Sequence, residues 1–150
     1  MLCFNEYVGA KAPGAVKGHS ALVRYLVLLL AFPLNDALAY EPARANNNLA
    51  HELAACSAFY MLSSVVLKSQ KPDLAEKFGQ IGETAIEYSA ALTSEKLALA
   101  RVEMATKSMM KDIDNDAVNY SILLNEYSDR CGEAVSDPVK RLEYWLNKQD

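Results

Sequence analysis

A run of eight apolar residues, Tyr25-Leu26-Val27-Leu28-Leu29-Leu30-Ala31-Phe32, decides how much of this 150-residue chain has to fold. Lys17, His19 and Arg24 form a basic lead-in ahead of it. Pro33 breaks it, and Ala37-Leu38-Ala39 offers the small residues of a cleavage site. That is the order of parts in a secretory signal peptide. The run is far short of the ~20 residues of a membrane-spanning helix, and Asn35 and Asp36 prevent its extension. Residues 1–39 are therefore expected to leave as a signal peptide. Residues 40–150 are expected to fold as one domain, periplasmic or secreted, with no integral membrane segment.

Loss of the leader changes the cysteine arithmetic. Cys3 goes with it, and Cys56 and Cys131 remain. An even pair in an oxidising compartment is expected to form a disulfide. Closing so long a loop stabilises a domain by about 4–5 kcal/mol on chain-entropy grounds. The alternative is two separate buried thiols, since a free cysteine packs as a small core residue.

Residues 40–150 carry 12 basic and 17 acidic side chains, a net charge of −5. Nucleic-acid binding needs a basic stripe that releases counterions, and anionic lipid heads need a basic patch. Neither is present, because the charges are scattered as on solvated helix faces.

Glycine and proline are scarce, and no segment alternates with period two, so helix is the default. Tyr40 to Ala45 reads as a short disordered lead, and Asn46-Asn47-Asn48 as N-caps. The first helix is expected over Leu49 to Lys68, with Leu49, Leu53, Cys56 and Tyr60 on one face. Pro72 follows its end. The second helix opens at Asp73, whose spacing to Glu76 suits a capping box. Its stripe is Leu74, Phe78, Ile81, Ala85, Tyr88 and Leu92, with Gly79 and Gly82 marking a close helix approach.

Thr93-Ser94 is either a tight turn or the middle of one long helix ending at Asp112. Ala98, Val102, Ala105, Met109 and Ile113 form the next apolar side. Asp114-Asn115-Asp116 then breaks the pattern. Ala117, Tyr120, Leu124, Tyr127 and Cys131 make a fourth stripe, with Gly132 as a C-terminal cap. Asp137-Pro138 opens a short last helix carrying Val139, Leu142, Trp145 and Leu146.

A bridge from Cys56, near the start of the first helix, to Cys131, at the end of the fourth, suits antiparallel neighbours. It therefore favours a turn at Thr93-Ser94. The expected fold is all-α: an up-down-up-down four-helix bundle with a short fifth C-terminal helix, preceded by the signal peptide.

No chemistry-bearing motif survives inspection. Asp112 to Asp116 resembles the opening of an EF-hand calcium loop, but the required glycine is Ala117 and the required glutamate is Leu123. There is no Cys-x-x-Cys-His for haem attachment, and His51 is the one histidine after the leader. Glu83 and Glu87 lack the histidines of a di-iron site. Glu52, Glu126 and Glu133 become acid–base candidates only where burial shifts them. Asn119-Tyr120-Ser121 matches a glycosylation acceptor. Arg141, Tyr144 and Trp145 have hot-spot composition and form the candidate binding surface.

The reading is thus of an exported, non-catalytic protein without metal or cofactor. It acts as a protein-interaction adaptor or stress-protective binder, with a protein partner unidentified and homo-oligomerisation open. A carrier of a small hydrophobe in the bundle core is the alternative, and a hydrolase using buried carboxylates the second. Intact mass spectrometry of the native protein is expected to give residues 40–150 less two hydrogens. A mass that retains Met1, or that rises on alkylation without reductant, overturns the export reading.

Overall fold

A computed structural model describes residues 35–148, with side chains from Glu41 onward. The leader expected over residues 1–39 lies outside the described residues except for its last five. Those five belong to a helix.

All regular structure among the described residues is helical. The helices are α1 (Asn35–Leu67), α2 (Pro72–Leu92), α3 (Glu95–Asp112), α4 (Ser121–Ser136) and α5 (Pro138–Asn147). A 3-10 helix, Ala117–Tyr120, leads into α4.

The first helix starts well before the expected Leu49. Tyr40 to Ala45 is helical rather than a disordered lead, and α1 runs through Ala39-Tyr40 without a break. Pro42 removes one backbone donor inside it but does not end it. The asparagine run caps nothing, and Asn47 turns its side chain to α3 instead.

From Glu52 to Tyr60 nearly every residue of α1 is buried, because α1 packs against each of the other helices. By length and composition Glu41–Leu67 is apolar enough to cross a membrane, yet most of it is buried within the protein. A helix apolar all round suits a core position equally well.

One face of α1 is built of small side chains and meets α2. The Ser89 hydroxyl donates to the Ala50 carbonyl at 2.7 Å. Gly82 lies against the Ser57 carbonyl, and Gly79 faces Ser64. The close approach read from the two glycines is therefore to α1. Ala75, Gly82, Ala85 and Ser89 are the buried residues of α2. Phe78, Ile81 and Leu92 flank them half-buried. Tyr88, placed on the stripe by spacing, is largely exposed.

The other faces of α1 carry the bulk. Leu49, Leu53, Cys56, Phe59 and Tyr60 share one cluster with Met109, Ile113, Tyr120, Leu123, Tyr127, Cys131 and Ala134. Phe59 stacks on Tyr127 with ring centres 5.8 Å apart. The Tyr120 hydroxyl donates to Ser63, whose own hydroxyl donates to the Phe59 carbonyl at 2.6 Å.

The connections obey local chemistry. Pro72 takes the first position of α2, as its fixed φ and missing N–H allow. The Asp73–Glu76 capping box is not formed, because Lys71 occupies the cap. Thr93-Ser94 is a turn, and the Ser94 hydroxyl accepts from the Leu97 N–H at 3.3 Å. Asp114 and Asn115 adopt left-handed φ values of 53° and 56°, which aspartate and asparagine tolerate better than most residues. Asp116 then caps the 3-10 helix.

That 3-10 turn precedes α4, within which Leu123 lies four residues before Tyr127 and Leu124 three, so either fits the helical period. The buried positions are Tyr120, Leu123, Tyr127, Cys131 and Ala134, while Ala117 and Leu124 face solvent. Gly132 is not a cap, since α4 continues through it to Ser136.

The glycines give a direct test. A methyl group at Gly132 meets nothing within 4 Å, so Gly132→Ala is expected to stabilise by about 1 kcal/mol through helix propensity alone. At Gly82 the added carbon lies 3.3 Å from the Ser57 carbonyl and 3.1 Å from Met61. Gly82→Ala is expected to lower the urea midpoint despite the same propensity gain.

Candidate functional site

Glu52 stands on α1 between Leu49, Leu53 and Cys56, and only 8 % of it is exposed. A carboxylate so placed is costly unless paired. Among the described residues its side-chain hydrogen-bond donors all come from α5. Arg141 donates through Nε to Oε2 at 2.8 Å and through Nη2 to Oε1 at 2.5 Å. The Trp145 indole N–H donates to Oε2 at 2.8 Å.

The sequence around α5 explains how it delivers them. The Asp137 carboxylate accepts from the Lys140 N–H at 3.0 Å, and Pro138 starts the helix. The direction of α5 is thereby set. Arg141 and Trp145, four residues apart, fall on one face. The planar guanidinium matches the two carboxylate oxygens in a bidentate fork. Its hydrogen bond to Glu52 holds the Arg141 charge beyond its already high ordinary range, against the opposing effect of burial.

In the candidate binding surface Arg141–Tyr144–Trp145, two of the three side chains already bond within the protein. Arg141 is 17 % exposed and committed to Glu52, and Trp145 shares that carboxylate. The polar groups that would attract a partner are already satisfied by a buried acid on α1. Of the three, Tyr144 alone stays largely outside, 46 % exposed. It lies under the Arg141 guanidinium at 4.4 Å and edge-on to Trp145 at 5.4 Å.

One helical turn along α1 from Glu52 is Cys56. Its sulfur lies 2.07 Å from that of Cys131, with Cα atoms 5.2 Å apart and both residues buried. Consecutive turns of α1 are thus tied to α4 by sulfur and to α5 by charge.

Two depressions flank α5. The larger, about 450 Å³, is lined by Glu133, Ser136, Asp137, Lys140, Arg141 and Tyr144. Its charges are mixed, and Glu133 itself sits 3.6 Å from Arg141. The smaller, about 200 Å³, is apolar and runs between α1, α2 and α5, with Leu49, Leu53, Tyr88, Leu92, Val139 and Leu142 in its walls.

Glu52 is engaged by Arg141, and Glu126 and Glu133 are exposed. His51 is exposed as well. Among the described residues no three histidine, cysteine or acidic side chains are grouped to hold a metal ion. Asn119, in the glycosylation triplet, uses its amide to donate to the Ile113 carbonyl at 3.2 Å.

A second buried charge escapes a reading of the sequence alone. Arg101 of α3 is enclosed, donating from Nη2 to Asn47 at 2.5 Å, while Nη1 has no partner among the described residues. Its signal is nonetheless present. Arg101 lies three residues after Ala98 and four before Ala105, so it falls on the apolar side of α3 beside Val102.

The chain matches no known protein family, no curated protein and no solved structure.

Three tyrosines carry a pH dependence. Burial raises the phenol pKa of Tyr60, Tyr120 and Tyr127. Nearby Tyr120 adds to the effect at Tyr60. Unfolded phenols titrate near pH 10. Above that the unfolded chain holds fewer protons than the folded one, so stability falls with rising pH. The contribution is expected in full below about pH 10 and lost as pH climbs through the folded values. Urea midpoints at about pH 9, 10 and 11 check this, and a midpoint unchanged across that range refutes it.

Proposed function

We propose that this protein is an exported, non-catalytic interaction protein. Its partner anchors an apolar side chain in the groove between α1, α2 and α5. The helices are read as an up-down-up-down bundle with α5 across one end. Pairings support that reading. Ala50 meets Ser89 and Ser57 meets Gly82, so α2 descends as α1 rises. Arg101 of α3 lies by Asn47 while Tyr120, in the 3-10 helix that follows α3, lies by Ser63, so the chain climbs back between them. Cys56 then meets Cys131, so α4 descends. Export rests on the leader-like segment and on the cysteine pair.

The groove is the observation that carries the interaction reading. Its volume, about 200 Å³, falls below the roughly 300–1,000 Å³ of ordinary small-molecule sites. It suits one or two inserted side chains better than a lipid chain. Apolar anchors seated in small pockets are what dominate protein interfaces energetically. On its rim Val139 is 71 % exposed, an apolar side chain left without cover. The space beside Gly79 and Gly82, where a carrier would hold its ligand, is instead taken up by α1.

The test is photo-crosslinking from position 139 in the native envelope. One defined protein is expected to be captured, and Tyr88→Glu is expected to abolish the capture while leaving the helical circular dichroism unchanged. Capture that survives Tyr88→Glu counts against the groove. Native mass spectrometry showing a co-purified hydrophobe turns the reading toward a carrier.

A further inference from the structure

Both cysteines of the Cys56–Cys131 pair are fully buried. Thiol–disulfide exchange needs a thiolate to reach one of the sulfurs, so the folded core bars the reaction until some element moves. The arrangement points to α5 as that element. It comes after α4 with a single residue, Asp137, between them, and it lays Leu142 and Trp145 on the cluster that contains both cysteines. It is ten residues long and has no fully buried residue of its own. Segments with so little burial open first. Against that weakness stand the three hydrogen bonds from Arg141 and Trp145 to Glu52, on the α1 turn next to Cys56.

We propose that α5 is a strap whose clasp on Glu52 seals the Cys56–Cys131 disulfide, so that the bond exchanges with external thiols only when the strap lifts. During folding, while α5 is undocked, one cysteine thiolate attacks an external disulfide and the other displaces the resulting mixed disulfide, so the external disulfide takes up two electrons and two protons as a dithiol. Docking of α5 then locks the bond. In the reverse direction a dithiol thiolate attacks one sulfur and the other leaves as a thiolate. The second thiol of the reagent closes its ring and releases the first. Two electrons and two protons pass to the cysteines, and the dithiol becomes a cyclic disulfide. The ion pair thus acts on rate through access, separately from the strength of the S–S bond. Lifting α5 also opens the apolar groove, since Val139 and Leu142 form part of its wall. The strap stands independently of what the groove binds.

The experiment follows reduction of the full oxidised protein by dithiothreitol in native buffer, quenched by alkylation and read by mass. Glu52→Gln and Trp145→Phe are compared with wild type and with Ser63→Ala. The last removes the Tyr120 partner elsewhere on α1 and serves as a stability control. At matched distance from the unfolding midpoint, both clasp variants are expected to be reduced at least tenfold faster than wild type, and Ser63→Ala at the wild-type rate. Trp145→Phe keeps an aromatic ring in place, so it tests the clasp even where Glu52→Gln does not fold. Equal acceleration by Ser63→Ala overturns the proposal, because the route is then global unfolding. Unchanged rates in the clasp variants overturn it too, as does native protein whose two thiols are already free.

Discussion

The structure depends on one helix having no outside. From Glu52 to Tyr60, α1 is closed in by its neighbours, and each neighbour is specified by what α1 offers on that side. Small residues face α2, so two backbones approach until Gly82 touches the Ser57 carbonyl. Leucines and aromatics face α3 and α4, where interior packing needs volume. A carboxylate faces α5, which meets it with Arg141 and Trp145 while laying Leu142 on the core cluster.

A helix so enclosed meets polar groups with little water nearby, and buried polar groups need partners. The serines solve this within the bundle. Ser89 and Ser63 bond to α1 carbonyls, and Ser63 also receives the Tyr120 hydroxyl. Glu52 solves it through Arg141 and Trp145. Replacing such a pair by apolar residues is often neutral or stabilising, whereas removing one partner is costly. The pair is therefore better understood as fixing where α5 sits than as a source of stability. Arg101 and Arg130 are exceptions, each with one buried guanidinium nitrogen unmatched among the described residues.

Much of this is legible in the sequence, for reasons that are local. The Asp137-Pro138 start of α5 depends on a few neighbouring residues, as does the stop ahead of Pro72. The apolar face through Leu49, Leu53, Cys56 and Tyr60 comes from helical period alone. The departures share a different cause. Spacing puts Leu124 inside and leaves Leu123 out because Leu124 lies three residues before Tyr127 and Leu123 four, and both fit the helical period; packing with distant segments is what chooses Leu123. Gly132 looks like a stop because an exposed glycine in a continuing helix leaves the same local trace. Asn46 to Asn48 look like caps because the other use, at Asn47, lies 54 residues away at Arg101. The partner of Arg141 and Trp145 is hidden from local reading for the same reason, since Glu52 is 89 and 93 residues distant.

By itself, then, the sequence determined that the chain is helical, roughly where each helix turns, and which stripe of each is apolar. Those properties come from backbone propensity and from a period of about 3.6 residues, which act over a few positions. Tertiary structure alone decided which polar side chains are inside and whom they meet. Whether Glu52 is a solvated acid or the anchor of α5 depends on the water around it, and packing between distant segments is what removes that water.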